Sequence, residues 1–106
     1  MELISEVLVV CYLFIHTWKK EDFKTVAKKV IEAMPGVPKG SSMVSSQVDA
    51  RLTGAWCVWD TEKPEEVKSF LAKAVPEMHT TEIVPVLQFV PVGGDSFKIM
   101  HVLASQ

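Results

Sequence analysis

The chain of 106 residues has little that would mark a familiar chemistry, and each absence removes a class of function. Its two cysteines, Cys11 and Cys57, stand far apart and inside apolar segments. No Cys-x-x-Cys exists, so the simplest role for both is a buried thiol in a reducing compartment. The three histidines, His16, His79 and His101, lack the i, i+4 pairing of a strong zinc motif. There is no glycine-rich phosphate loop, dinucleotide fingerprint or nucleophile elbow, and Gly93-Gly94 reads as a flexible connection. A net charge of −2 supplies none of the positive field that binds a phosphate backbone. Lys19, Lys20, Lys24, Lys28 and Lys29 are interleaved with Glu21 and Asp22 and read as a solvated helix surface. The opening apolar run, Val7 to Ile15, is nine residues long, against the ~20 that a membrane-spanning helix needs. Glu2 and Glu6 precede it where a signal peptide carries Lys or Arg, and no small-residue cleavage site follows. The expectation is a cytoplasmic protein that binds neither nucleic acid nor membrane.

What is present is apolar and regularly punctuated. With 48% apolar and 23% charged residues, the chain reads as one domain over 1–106, its core at about 7–92 and a tail at 93–106. The run from Val7 to Ile15 is apolar at every position, where a half-covered strand would alternate; both of its faces must be covered. After Trp18 the period changes. Phe23, Val26, Ala27, Val30, Ile31 and Met34 recur at helical spacing, and Pro35-Gly36 stops the helix. Ser41 to Val48 and Leu52 to Asp60 read as a hairpin joined through Asp49-Ala50-Arg51, its first strand polar as an edge strand should be. Pro64, followed by Glu65 and Glu66, opens a second helix with Val67, Phe70, Leu71 and Ala74 on one side. A last strand follows at about Glu82 to Val90, with Pro85 marking an edge or a bulge; the tail fits a short helix or a fifth strand.

Strand, helix, strand, strand, helix, strand is the ferredoxin-like βαββαβ order of an α+β protein, with both helices on one face of the sheet. The other face would be largely apolar and too large for a monomer to leave bare. Two sheets packed face to face in a homodimer would cover it. The order and the doubly apolar strands resemble the dimeric α+β barrel superfamily, which includes antibiotic-biosynthesis monooxygenases, muconolactone isomerases and haem-degrading monooxygenases. More narrowly, Phe14-Ile15-His16-Thr17-Trp18, Thr53-Gly54-Ala55-Trp56-Cys57-Val58-Trp59 and Val84-Pro85-Val86-Leu87-Gln88-Phe89 are similar to a family of small uncharacterised microbial proteins of that shape. The resemblance implies a barrel built by two protomers, and fixes no reaction. Its haem-degrading members use an asparagine, a tryptophan and a histidine; this chain has no asparagine, so that activity does not transfer.

His16 is the candidate acid or base, placed where a central strand gives way to a loop and helix. His79 and His101 read as surface residues. Trp56 and Trp59 have opposite parity in one strand, so one should face the helices and the other the second face. A buried indole N–H needs an acceptor, either a ligand or Gln88. Tyr12 needs a partner for its hydroxyl by the same reasoning. Tyr12, Trp56, Trp59 and Gln88 are therefore candidate ligand-binding residues. No cofactor and no metal site are expected. Three readings follow: a dimer binding a small hydrophobic carbonyl or phenolic compound, with cofactor-free isomerase or monooxygenase chemistry as its enzymatic form; a non-enzymatic structural or regulatory dimer; and a metal- or haem-binding protein.

Overall fold

A run rich in β-branched and aromatic side chains, Val10–Thr17, forms the first strand, β1, of the computed structural model, which describes residues 10–87, 101 and 103–105. A single 3-10 turn at Lys20–Asp22 leads into helix α1, Phe23–Ala33, and Pro35 tightens its end into a second such turn at Met34–Gly36. Strands β2, Ser42–Val48, and β3, Gly54–Asp60, form the hairpin. Helix α2 spans Pro64–Ala74 and strand β4 spans His79–Leu87. In the tail, His101, Leu103 and Ala104 are helical, and the Ser105 amide donates to the His101 carbonyl at 3.2 Å.

The sheet order is β2-β3-β1-β4, antiparallel throughout. This is the ferredoxin-like arrangement expected from the order of elements. Proline fits at the first position of α2 because its missing N–H would have had no intrahelical partner. Ahead of it, Thr61 accepts the Lys63 amide at 3.0 Å and lies 2.8 Å from the Ser41 hydroxyl, joining the start of α2 to the loop before β2. The hairpin turns on Asp49, whose carboxylate accepts from the Arg51 amide at 2.8 Å and from the Thr53 hydroxyl at 3.4 Å. That turn holds Leu52 at φ 63°, in the left-handed region. The indole Nε1 of Trp18 donates to the Leu52 carbonyl at 2.7 Å and secures it.

The core lies on the helix side of the sheet. Phe14 and Trp59, with rings 6.3 Å apart and inclined at 53°, are shut from solvent with Val67, Leu71 and Val75 of the α2 region. Parity divides β1 as its sequence predicts: Phe14 and His16 are buried on this side, while Leu13 and Ile15 face the other and are half-buried.

The expected closure into a dimeric α+β barrel is not what the structure shows. The sheet is open, with β2 and β4 as its two edges and two strands between them. The apolarity of β1 has a local cause. Leu13 lies between Val58 and Val84, and Ile15 between Trp56 and Glu82, so the second-face side chains of the central strand are flanked on both sides and are half-buried. A central strand can therefore be apolar throughout without a second sheet against it. The last strand also begins earlier than expected, at His79; residues 88–90 lie outside the described region.

Candidate functional site

Strand β1 pairs with β4 in unbroken register up to Ile15, which pairs with Glu82; the next residue, His16, pairs with Thr80, and Thr81 is the extra residue of a bulge in β4. The Thr81 hydroxyl donates to the Ile15 carbonyl at 3.2 Å. Nδ1 of His16 lies 3.0 Å from the Thr80 hydroxyl, which fixes the ring. On the other side of β1 only glycine fits at position 54, because a Cβ there would come within 2.7 Å of the His16 carbonyl oxygen. The close approach of β3 and the bulge in β4 thus clamp His16 from both sides.

His16 opens onto a cavity of about 250 Å³ between α1 and the sheet. The entire apolar stripe of α1, Phe23, Val26, Ala27, Val30, Ile31 and Met34, lines it. Ala55, Cys57 and Trp59 of β3 form its floor, and Met43, Ser46 and Val48 of β2 lie along one side. Leu71 and Met78 close it toward α2. Of the stripe only Val26 is buried, and Ile31 is 72% exposed. The face of α1 that periodicity assigns to the core therefore stands over a space. Lys29 holds the helix there through both carboxylate oxygens of Glu77, at 2.9 and 2.7 Å.

No charged side chain lines this cavity among the described residues. Burial pushes the His16 imidazole down to about 4, so it is neutral at pH 7. Burial also pushes the Cys57 thiol up, opposed in part by the Ser46 hydroxyl 3.4 Å from its sulfur. Trp59 is 1% exposed, and its Nε1 has no hydrogen-bond partner among the described residues. The walls are thus apolar, with an imidazole and a thiol–hydroxyl pair as neutral polar groups, and with Trp59, whose indole N–H is unpartnered among the described residues, among the lining residues.

Of the residues singled out by sequence, His16 and Trp59 meet at this cavity. Tyr12 is packed at the edge of the core cluster and does not line it. Trp56 lies on the opposite face of the sheet, 42% exposed, as its parity to Trp59 requires. Gln88 lies outside the described residues. His79 is exposed at the start of β4, and His101 is exposed in the tail. Among the described residues no three His, Cys, Asp or Glu side chains come together as a metal-binding group. Sequence reasoning took Cys57 for a plain core thiol and passed over Ser46, Met43 and Met78. The available signal was parity, since Cys57 shares a face with Trp59, together with methionine's aptitude for adaptable apolar walls.

The fold and site define a small α+β domain of ferredoxin-like arrangement with an apolar cavity under its first helix. The chain belongs to the family described as a domain of unknown function, DUF3303, whose sequence model matches residues 10–93. That membership replaces the expected one in the dimeric α+β barrel superfamily, in line with the open sheet. No curated protein and no solved structure matches the chain. No helix among the described residues is long and apolar enough to cross a membrane.

Proposed function

We propose that this protein binds a small hydrophobic molecule between α1 and the sheet. The observation that supports this is that the complete apolar stripe from Phe23 to Met34 lines a cavity, with Val26 alone buried in the core and Ile31 72% exposed. Protein interiors are close-packed, and leaving that much apolar surface around a space is costly unless something fills it. A cavity of ~150 Å³ with aliphatic walls accepts benzene; 250 Å³ suits one substituted ring. A sheet–helix space filled by side chains would instead have favoured a purely structural role. In the enzymatic form of the proposal His16 is the proton carrier, resting as a neutral base. With a value near 4 it is a weak base at neutral pH, so orientation of a bound ligand by hydrogen bonding is the role its environment favours.

The test is a heteronuclear NMR titration with a neutral single-ring probe such as α-methylstyrene. Saturating shifts confined to α1, His16 and β3 are expected. Absence of any saturable shift up to the probe's solubility overturns the proposal.

A second copy of the chain on the opposite sheet face is also proposed, without barrel closure. Trp56, 42% exposed in mid-strand, supports it. Sedimentation at micromolar concentration should give a dimer; a monomer overturns this part. Two free, buried cysteines suit a reducing compartment, which supports placing the protein in the cytoplasm.

A further inference from the structure

The chemistry of the ligand can be narrowed further, on the basis of the cavity-binding reading above. Buried polar groups in folded proteins are almost always paired, because an unpaired donor loses its water contacts and gains nothing in return. This chain obeys that rule closely. The Trp18 indole donates to the Leu52 carbonyl, the Thr61 hydroxyl meets both Ser41 and the Lys63 amide, and His16 Nδ1 meets Thr80. Trp59 Nε1 is the single buried side-chain nitrogen or oxygen without a partner among the described residues. Trp59 is also among the residues that line the cavity. An indole N–H donates and cannot accept, so whatever completes it must carry an acceptor. Among the described residues no charged side chain lines the cavity, which favours a neutral one.

We infer that the ligand is an uncharged ring compound bearing a carbonyl or ether oxygen, and that Trp59 Nε1–H donates to that oxygen. Trp59 is then a specificity residue, with the apolar stripe of α1 supplying general affinity. Without an acceptor the ligand would fill the space and leave the indole unpaired, so discrimination arises from the donor and not from shape.

The decisive comparison uses two probes of one shape, acetophenone and α-methylstyrene, which differ in a carbonyl oxygen replaced by a methylene. Acetophenone should bind about tenfold more tightly, the effect of one buried hydrogen bond. It should also shift the Trp59 indole N–H resonance downfield, whereas α-methylstyrene should not. Trp59→Phe keeps a ring in the wall and removes the donor; it should bring the ratio of the two probe affinities to about one, whatever it does to the affinity for either. Should that variant not fold, the indole resonance of the native protein carries the test alone. Equal binding of the two probes, or an indole resonance that ignores acetophenone, overturns the inference and leaves the cavity reading intact. If neither probe binds, the cavity reading fails and this inference fails with it.

Discussion

Nδ1 of His16 and the Thr80 hydroxyl lie 3.0 Å apart across the bulge that separates Ile15 from His16 in the β1–β4 pairing. The bond ties the one buried titratable ring of the sheet to the edge strand β4. In the folded chain the imidazole is neutral and held low by burial; in the unfolded chain it has the ordinary value near 6.5. Between about 4 and 6.5 the unfolded state therefore binds a proton that the folded state excludes.

Stability should consequently be complete above about pH 6.5 and fall as the pH drops toward 4. Urea unfolding at pH 7 and pH 5 should differ by roughly 2 kcal/mol, and His16→Gln should flatten that difference. Asp49, held down to about 2 by Arg51, keeps its charge through this interval, and Glu77 is held low by Lys29. An unchanged slope in His16→Gln would contradict the assignment.

Gly54 should tolerate no side chain. A Cβ would meet the His16 carbonyl oxygen at 2.7 Å, and that oxygen is main chain, so the strands themselves must part. Gly54→Ala is expected to cost about 1–3 kcal/mol in chemical denaturation. It should also move the His16 ring resonances, because β3 forms one side of its clamp.

Leu52 holds a left-handed backbone at φ 63° in the hairpin loop. Asparagine adopts that conformation more readily than leucine. Leu52→Asn should raise stability by about 0.5 kcal/mol in urea unfolding, provided that the Trp18 indole keeps its bond to the residue 52 carbonyl. A marked loss would mean that the half-buried Leu52 side chain matters more than its backbone strain.

The two apolar surfaces should respond differently to truncation. Phe14 is fully buried, so Phe14→Ala should cost about 3–5 kcal/mol. Ile31 is 72% exposed at the cavity, and Ile31→Ser should change stability by no more than about 0.5 kcal/mol while weakening probe binding. Ala27→Leu fills part of the cavity from a helix position that leucine suits; it should block the probe and hold or raise the melting temperature.

Much of the architecture was legible in the chain. The change of period after Trp18, Pro35-Gly36, the polar β2 followed by the apolar β3, and Pro64 with two glutamates located the elements, because these signals are local. Parity also assigned Trp59 and Trp56 to opposite faces, since side chains in a strand alternate. The inference from β1 to a closed dimeric barrel went astray because apolarity reports burial without naming the covering group. Here Val58, Val84 and Trp56 on neighbouring strands flank Leu13 and Ile15 within one open sheet.

The amino-acid sequence by itself determined the order of strands and helices, the α1 stripe, and the opposite parity of Trp56 and Trp59. Those follow from spacing along one chain. Only the tertiary structure decided that the stripe lines a cavity, that Thr80 and Gly54 clamp His16, that His16 and Trp59 of the candidates both line that cavity, and that the Trp59 indole has no acceptor among the described residues. Each of these depends on a separation between segments distant in sequence, which neither periodicity nor composition encodes. The space between α1 and the sheet is set by how side chains from several elements fill volume together, and there the filling falls short by about one ring.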